Sequence, residues 1–232
     1  MSRTTRILVS GGDGILATAL RPFFPLATYC SRSDMDVANV GDVRRVFNEV
    51  KPELVIHCAA VTRHDAEPTA YTVGNIQGTI NVSLAARKSG ARMVYPSTDY
   101  LGARRETDPV SPVNGYSRSK YAGEIAADAA CGPGVLVVRG SWYSRLEYSH
   151  AASDAFTGKV PVSTAAHWIA VLAVSSHTGV VNIGGKRRSV YEIALEFSPN
   201  VIPISRTQIH CGYEIPADCS LDTTRLSGIL AA

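Results

Sequence analysis

Ile7-Leu8-Val9-Ser10-Gly11-Gly12-Asp13-Gly14-Ile15-Leu16-Ala17 is the stretch whose reading decides the fold. Four residues that favour a buried strand run into three glycines within four positions, and residues suited to a helix follow at once. A tight strand-to-helix turn needs a residue free of Cβ constraints, and a pyrophosphate seated at a helix N-terminus needs backbone with no side chain in its way. Gly11 and Gly14 meet those two needs. Ala17 takes the third small position, where helix and strand pack closely. A glycine triplet alone is a weak signal; one placed directly after a strand and opening a helix is the context that a dinucleotide-binding turn requires.

Outward from this turn, short β-branched runs alternate with longer segments of helical period. Strands are expected at Ile7 to Ser10, Ala27 to Ser31, Leu54 to Cys58, Met93 to Ser97, Val135 to Arg139 and Val180 to Ile183. Helices are expected at Ile15 to Leu20, Val43 to Val50, Tyr71 to Lys88 and Tyr116 to Ala130, the last stopped by Gly132-Pro133-Gly134. The alternation predicts an α/β fold of Rossmann type, a doubly wound parallel sheet, and near-continuous apolar runs such as Leu54-Val55-Ile56 predict burial on both sheet faces. Residues 1–140 read as the nucleotide-binding domain. Residues 141–232, with Trp142, Tyr143, Tyr148, a short helix at His167 to Val174 and a proline-rich tail, read as a small C-terminal substrate lobe interleaved with the last strand of the sheet.

The bulk properties narrow the class. The 232 residues are 45% hydrophobic and 19% charged with a net charge of +3, which suits one domain with a real core and argues against disorder. Basic residues are scattered apart from Lys186-Arg187-Arg188, read as a solvated loop, so no nucleic-acid partner is expected. Five cysteines with no Cys-x-x-Cys pair indicate neither a disulfide framework nor a zinc ribbon, and the six histidines lack ligand spacing, so no metal site is expected. Met1 to Thr5 lead straight into the first strand, and no apolar run is long enough for a bilayer; a cytoplasmic protein without a membrane partner is expected.

Two further features carry chemistry. The second strand ends Cys30-Ser31-Arg32, where an NAD site would usually place an acid for the ribose 2′-hydroxyl; Arg32 and Ser31 suit a 2′-phosphate, so NADP(H) is favoured with NAD(H) as the alternative. Tyr116-Ser117-Arg118-Ser119-Lys120 puts a phenol and an ammonium one helical turn apart, and a neighbouring cation lowers a tyrosine pKa toward proton exchange at neutral pH. Pro96-Ser97-Thr98-Asp99-Tyr100 supplies a hydroxyl at the carboxyl edge of the sheet. Cys58-Ala59-Ala60 is small enough for a cofactor to lie over it, and Asn75 follows in the next helix.

At these residues the chain resembles the extended short-chain dehydrogenase/reductases, and within them the dTDP-4-dehydrorhamnose reductase branch. The likeness rests on Gly11 to Ala17, Ala59-Ala60-Val61-Thr62, Asn75 with Gly78-Thr79, Ser97 to Tyr100, Glu106-Thr107-Asp108-Pro109 and Tyr116 through Glu124, and it returns more faintly at Asn182 to Gly185 and Ser220 to Thr223. The resemblance implies NADPH-dependent reduction of a keto group on a nucleotide-linked deoxysugar, with Thr98, Tyr116 and Lys120 as the catalytic set. Thr98 would orient the carbonyl, Tyr116 would give the proton, and Lys120 would lower its pKa and hold the nicotinamide ribose. Cofactor contacts are implied for Gly11, Asp13, Gly14, Ile15, Leu16, Ser31, Arg32, Asp36, Val37, Cys58, Ala59, Ala60, Asn75 and Ser97 besides Tyr116 and Lys120. Substrate contacts are implied for Thr62, Thr98, Asp99, Tyr116 and Trp142.

The chain is shorter than the family's usual length. It is reduced at Leu101 to Arg105 and between Trp142 and Pro161, and one residue is missing around Arg63 to Glu67. These cuts fall on the substrate side, so either a homo-oligomer or partner subunit completes the pocket, or the substrate is smaller than a nucleotide sugar. Two other readings use the same residues: a nucleotide-sugar epimerase or dehydratase, and a non-catalytic NADP-binding regulatory subunit.

Overall fold

The protein is described here by a computed structural model covering residues 5–145 and 148–231. Residues 1–4, on which most of the expectation about a leader rests, lie outside the described residues. The chain begins β1 (Ile7–Ser10), α1 (Ile15–Leu20), β2 (Thr28–Cys30), α2 (Val40–Val50), β3 (Leu54–His57) and α3 (Pro68–Tyr71). A π-helical stretch over Thr72–Gln77 leads into α4 (Gly78–Ser89), then β4 (Arg92–Pro96), α5 (Gly115–Cys131) and β5 (Leu136–Arg139). The remainder is β6 (Trp142–Tyr143), β7 (His150–Ala152), β8 (Phe156–Thr157), β9 (Val160–Pro161), α6 (Val162–Val174), β10 (Gly179–Asn182), β11 (Arg188–Ser189), α7 (Val190–Leu195), β12 (Ile202–Ile204) and α8 (Thr224–Ala231).

Six strands form one parallel sheet in the order β10-β5-β4-β3-β1-β2. Successive strand residues point to opposite faces, and both faces are covered. Val9, Ile56, Val94, Leu136 and Val138 pack with Leu16, Leu20, Ile169 and Leu172 of α1 and α6 on one side. Leu8, Val55, Met93, Tyr95 and Val137 pack with Val43, Phe47, Val82, Ala86 and Ala127 of α2, α4 and α5 on the other. The chain leaves β1 toward one face and β2 toward the other, so a crevice opens at the carboxyl ends of the central strands, where doubly wound folds hold their ligands.

Local chemistry fixes the helices that border this crevice. Asn39 caps α2 by accepting from Gly41 N and Asp42 N. At α5 the Asn114 side chain accepts from Ser117 N while Ser117 Oγ accepts from Asn114 N, a reciprocal capping box. The helix expected over Tyr71 to Lys88 is present but widened in its π-helical stretch. Asn75 turns inward there, its Oδ1 accepting from Val61 N at 2.6 Å and its Nδ2 donating to Ser119 Oγ at 2.8 Å.

The C-terminal lobe is a set of two- and three-residue pairings: β6 beside β9, β7 beside β12 and β8 against β11. Between them α6 joins the core and β10 returns to the main sheet beside β5. Asn182 ties the lobe to the body, donating from its side chain to Arg104 O and Asp222 O and from its backbone to Glu106 Oε1. Lys186 and Arg187 of the basic run are exposed loop residues, as expected, and only Arg188 enters a strand. Arg187 pairs with Asp218 at 2.7 Å and lies over the Phe156 ring, and Arg188 stands in β11 paired with Glu196. The tail ends in α8, which places Leu226 in the core.

Candidate active site

Gly11 stands at φ +68°, and a Cβ there would come within 2.7 Å of Ala59 N and Cα. Both facts demand glycine, because a left-handed backbone strains an L side chain and the backbone of the loop after β3 leaves no room. Gly12 N donates to Cys30 O at 2.7 Å and Gly14 N to Gly11 O at 2.9 Å, which closes the turn before α1 begins. Ala17 is wholly buried where α1 meets the sheet. Beneath the turn, Ser10 Oγ meets His57 Nδ1 at 2.7 Å and accepts from Ala59 N, while His57 Nε2 meets Thr79 Oγ1 at 3.2 Å. Burial pulls the His57 pKa down to about 3, so this brace is neutral at ordinary pH.

Two cavities lie along the crevice. The smaller, about 250 Å³, is lined by Gly11, Arg32, Asp36, Val37, Ala59 and Ala60 among others. Val37 reaches its place because Gly78 carries no Cβ; one would meet Val37 Cγ2 at 2.6 Å. Arg32 is largely exposed and 3.7 Å from Asp36. Ser31 is not part of this wall: its hydroxyl donates to Asp34 Oδ2 at 2.6 Å, so Asp34 curls back onto Ser31.

The larger cavity, about 470 Å³, runs from the glycine turn to the start of α5. Asp13, Gly14, Ile15, Leu16, Cys58, Ala60, Thr62, Ser97, Thr98, Asp99, Tyr116, Lys120 and Trp142 all line it. Asn75 does not; it braces the Val61 loop from behind. Ser97 Oγ is buried with no partner, and so is Asp99 Oδ1. Asp99 Oδ2 accepts from Ser141 Oγ at 2.6 Å and Thr157 Oγ1 at 3.2 Å, which ties the end of β4 to the C-terminal lobe. Burial raises the Asp99 pKa, an effect these two hydroxyls offset in part. Trp142 both lines the cavity and packs against the core beside α6, so it is wall and packing residue at once.

The Tyr–Lys pair differs from the expectation in one respect. Burial pushes the Tyr116 pKa up to about 12, with the Thr98 hydroxyl pulling it partly back. The charges of Asp99 and Tyr71 push it the same way as burial. Lys120 Nζ donates to Pro96 O at 2.8 Å and lies 4.1 Å from the centroid of the Tyr95 ring. Burial lowers its own pKa to about 8, with Glu124 one turn on favouring the charge. Glu124 in turn receives Arg139 through a buried double contact, 2.7 Å at the shortest. Tyr116 is therefore a protonated acid at neutral pH in this arrangement, and the phenolate is not favoured by the lysine directly.

Among the wall residues that the reading of the sequence did not assign to the site, His64 and Lys159 stand out. The His64 ring centroid lies 4.5 Å from that of Tyr116, 5.0 Å from Tyr100 and 4.7 Å from Tyr213, and its buried Nδ1 has no partner. Lys159, just before β9, lines the cavity from the far side. A histidine in a polar loop and a lysine in the two-residue link between β8 and β9 carry no local periodicity that would reveal them. Among the described residues no three His, Cys, Asp or Glu side chains gather as metal ligands, and no helix is long and apolar enough to cross a membrane.

A parallel sheet with a glycine turn, two crevice cavities and a Tyr–Lys helix is the build of an extended short-chain dehydrogenase/reductase. Residues 5–153 match the family model described as RmlD substrate binding domain, and the chain belongs to that family. It is similar to dTDP-4-keto-6-deoxy-D-glucose reductase of Streptomyces niveus, 32% identical over 152 residues covering 60% of this chain and 53% of that protein. A longer match, 29% identical over 89% of this chain and 81% of the relative, is to dTDP-4-dehydrorhamnose reductase of Mycobacterium tuberculosis. The chain spans about half the length of the first curated relatives it matches. In three dimensions it resembles dTDP-4-dehydrorhamnose reductase of Bacillus anthracis in complex with NADP, with a TM-score of 0.88 over 97% of this chain and 92% of that one at 24% identity.

Proposed function

We propose that the chain is a cytoplasmic NADPH-dependent reductase of a keto group on a nucleotide-linked deoxysugar. The observation that carries this reading is the convergence of Thr98, Tyr116 and Lys120 on one cavity that begins at the glycine turn. The named activities of its relatives point the same way. The five cysteines, all free, suit a reducing compartment.

The residues present fit a bound dinucleotide. A Cβ at Gly11 would fill the closest approach of the turn to the Ala59 backbone, and the buried, partnerless Ser97 hydroxyl lies in the wall of the larger cavity. The smaller cavity would take the adenosine end, with Arg32 toward a 2′-phosphate, and the larger one the nicotinamide end. NADPH, when bound, supplies the hydride. Thr98 would hold the substrate carbonyl by its hydroxyl, and Tyr116, kept protonated by its burial, would deliver the proton to the carbonyl oxygen. Lys120 is assigned to the nicotinamide ribose.

The test is turnover. Protein mixed with NADPH and a dTDP-linked 4-keto-6-deoxyhexose is expected to consume one NADPH per hydroxyl formed, followed at 340 nm. Tight NADPH binding with no consumption on dTDP- or UDP-linked keto sugars would favour the regulatory-subunit reading instead.

A further inference from the structure

The larger cavity does not end at Tyr116. Tyr100 and Lys159 line it and also line another cavity of about 540 Å³ inside the C-terminal lobe. The walls of that chamber are largely apolar, with Ala155, Ile204 and Ile209, and it carries Tyr148 and Gln208 as polar and aromatic groups. Its volume falls in the usual range for a small-molecule site. Lys159 thus stands at the junction of two spaces, one holding the reactive groups and one with stackable and apolar walls.

The backbone of Lys159 is fixed, and its ammonium has no ion-pair partner among the described residues. The backbone N donates to Thr157 Oγ1 at 3.0 Å, and the next residue, Val160, pairs with Trp142 in the β6–β9 ladder. Among the described residues no carboxylate lies within ion-pair distance of its ammonium. Asp99 feels its charge through space, but Asp99 Oδ2 is already committed to Ser141 and Thr157. The other lysine of the catalytic cavity, Lys120, is engaged with Pro96 O. An unpaired cation between a reactive cavity and an apolar chamber matches a substrate built as sugar, anionic bridge and aromatic base.

We propose that Lys159 anchors the diphosphate of the nucleotide-linked substrate, with the sugar toward Tyr116 and the nucleoside in the chamber lined by Tyr148 and Ile209. The inference rests on the nucleotide-sugar reading and adds to it the residue that recognises the anion.

Calorimetric titration of the NADPH-saturated full chain tests it, with dTDP, UDP and thymidine as probes against wild type, Lys159→Gln and Lys159→Arg. The expected result is that Lys159→Gln weakens dTDP or UDP binding about tenfold or more, as loss of a charged hydrogen bond does. Thymidine and NADPH binding should not change, and Lys159→Arg should recover most of the loss. If Lys159→Gln binds the diphosphates within about twofold of wild type while wild type binds them well, the assignment of Lys159 is wrong and the nucleotide-sugar reading stands. If wild type binds NADPH but neither dTDP nor UDP, the nucleotide-sugar reading fails and takes this proposal with it. Equal weakening of thymidine and dTDP would mean that Lys159 only keeps the lobe in shape by balancing Asp99, and would also overturn the proposal.

Discussion

The cofactor side of the crevice and its substrate side are built by different rules. On the cofactor side the glycine turn and the loop after β3 follow directly from central strands with regular hydrogen bonds and buried apolar faces. On the substrate side the wall residues ride on strand pairs of two or three residues held by isolated cross-links, such as Asp99 to Ser141 and Thr157 or Asn182 to Arg104 and Asp222. The first kind of wall follows from local pattern and tolerates change elsewhere in the chain. The second exists only when distant segments meet. Substitutions should therefore separate the two walls, in chemistry, in cofactor affinity and in stability.

Tyr116→Phe is expected to have the largest effect. The ring still packs against His64, but the proton donor is gone, so kcat should fall by about 10²–10⁴-fold. NADPH affinity should hold, since the glycine turn is untouched. Single-turnover kinetics alongside a cofactor titration checks both parts. A matching loss of cofactor affinity would show that the two walls are not independent.

Gly11→Ala attacks the other wall. The added methyl meets the Ala59 backbone at 2.7 Å in a left-handed conformation, which should cost about 1–3 kcal/mol of stability and displace the loop carrying Ala59 and Ala60. Urea melts and NADPH titrations should both register the change, with cofactor affinity falling even in protein that remains folded at 25 °C. Retained affinity in a destabilised protein would mean that the turn can move without losing its ligand.

Much of this contrast was already legible in the chain. Ile7 to Ser10 and Leu54 to His57 are strands because apolar side chains are needed on both faces of a sheet covered by helices, and that requirement leaves a continuous apolar run in the sequence. Tyr116 and Lys120 share a helix face because four-residue spacing ensures it. What spacing could not show is that Lys120 turns to Pro96 O, so that burial rather than the lysine governs the Tyr116 proton. Nor could it show that Ser31 is occupied by Asp34, or that His64 and Lys159 reach the cavity, because those depend on loops and on pairings such as β6 with β9 that join segments far apart in sequence. The surface partners of Arg187 and Arg188 were hidden for the same reason, since Asp218 and Glu196 lie outside their own stretch of chain.

The brace under the glycine turn gives a pH test of the cofactor wall alone. His57 is neutral when folded, with a pKa near 3 against about 6.5 when unfolded, so below pH 6.5 the unfolded chain binds the extra proton. Stability from this group is complete above pH 6.5 and is lost as pH falls toward 3. Between pH 6.5 and 5 the loss should reach about 2 kcal/mol, at roughly 1.4 kcal/mol per unit. His57→Gln can keep hydrogen bonds to Ser10 and Thr79 without titrating, so its urea midpoint should vary less over that interval. An identical pH dependence in the variant would assign the acid sensitivity to other groups.

The smallest effect is expected at Arg32, on the rim of the cofactor wall. It lies beside the small cavity but is largely exposed, and its 3.7 Å contact with Asp36 is a surface pair worth little in stability. A 2′-phosphate would draw Arg32 away from Asp36 and gain a charge-assisted contact, screened by the solvent around it. Arg32→Ala should therefore lower NADPH affinity by about tenfold at low salt and by less at high salt, and leave NADH affinity and the melting temperature almost unchanged. Removing Arg32 also frees the Asp36 carboxylate, which would repel a 2′-phosphate and add to the loss of NADPH preference. Titrating both cofactors at two salt concentrations distinguishes the cases. If wild type does not prefer NADPH, or if the preference survives in Arg32→Ala with no salt dependence, the 2′-phosphate is not read by this side chain and the end of β2 has no part in cofactor choice.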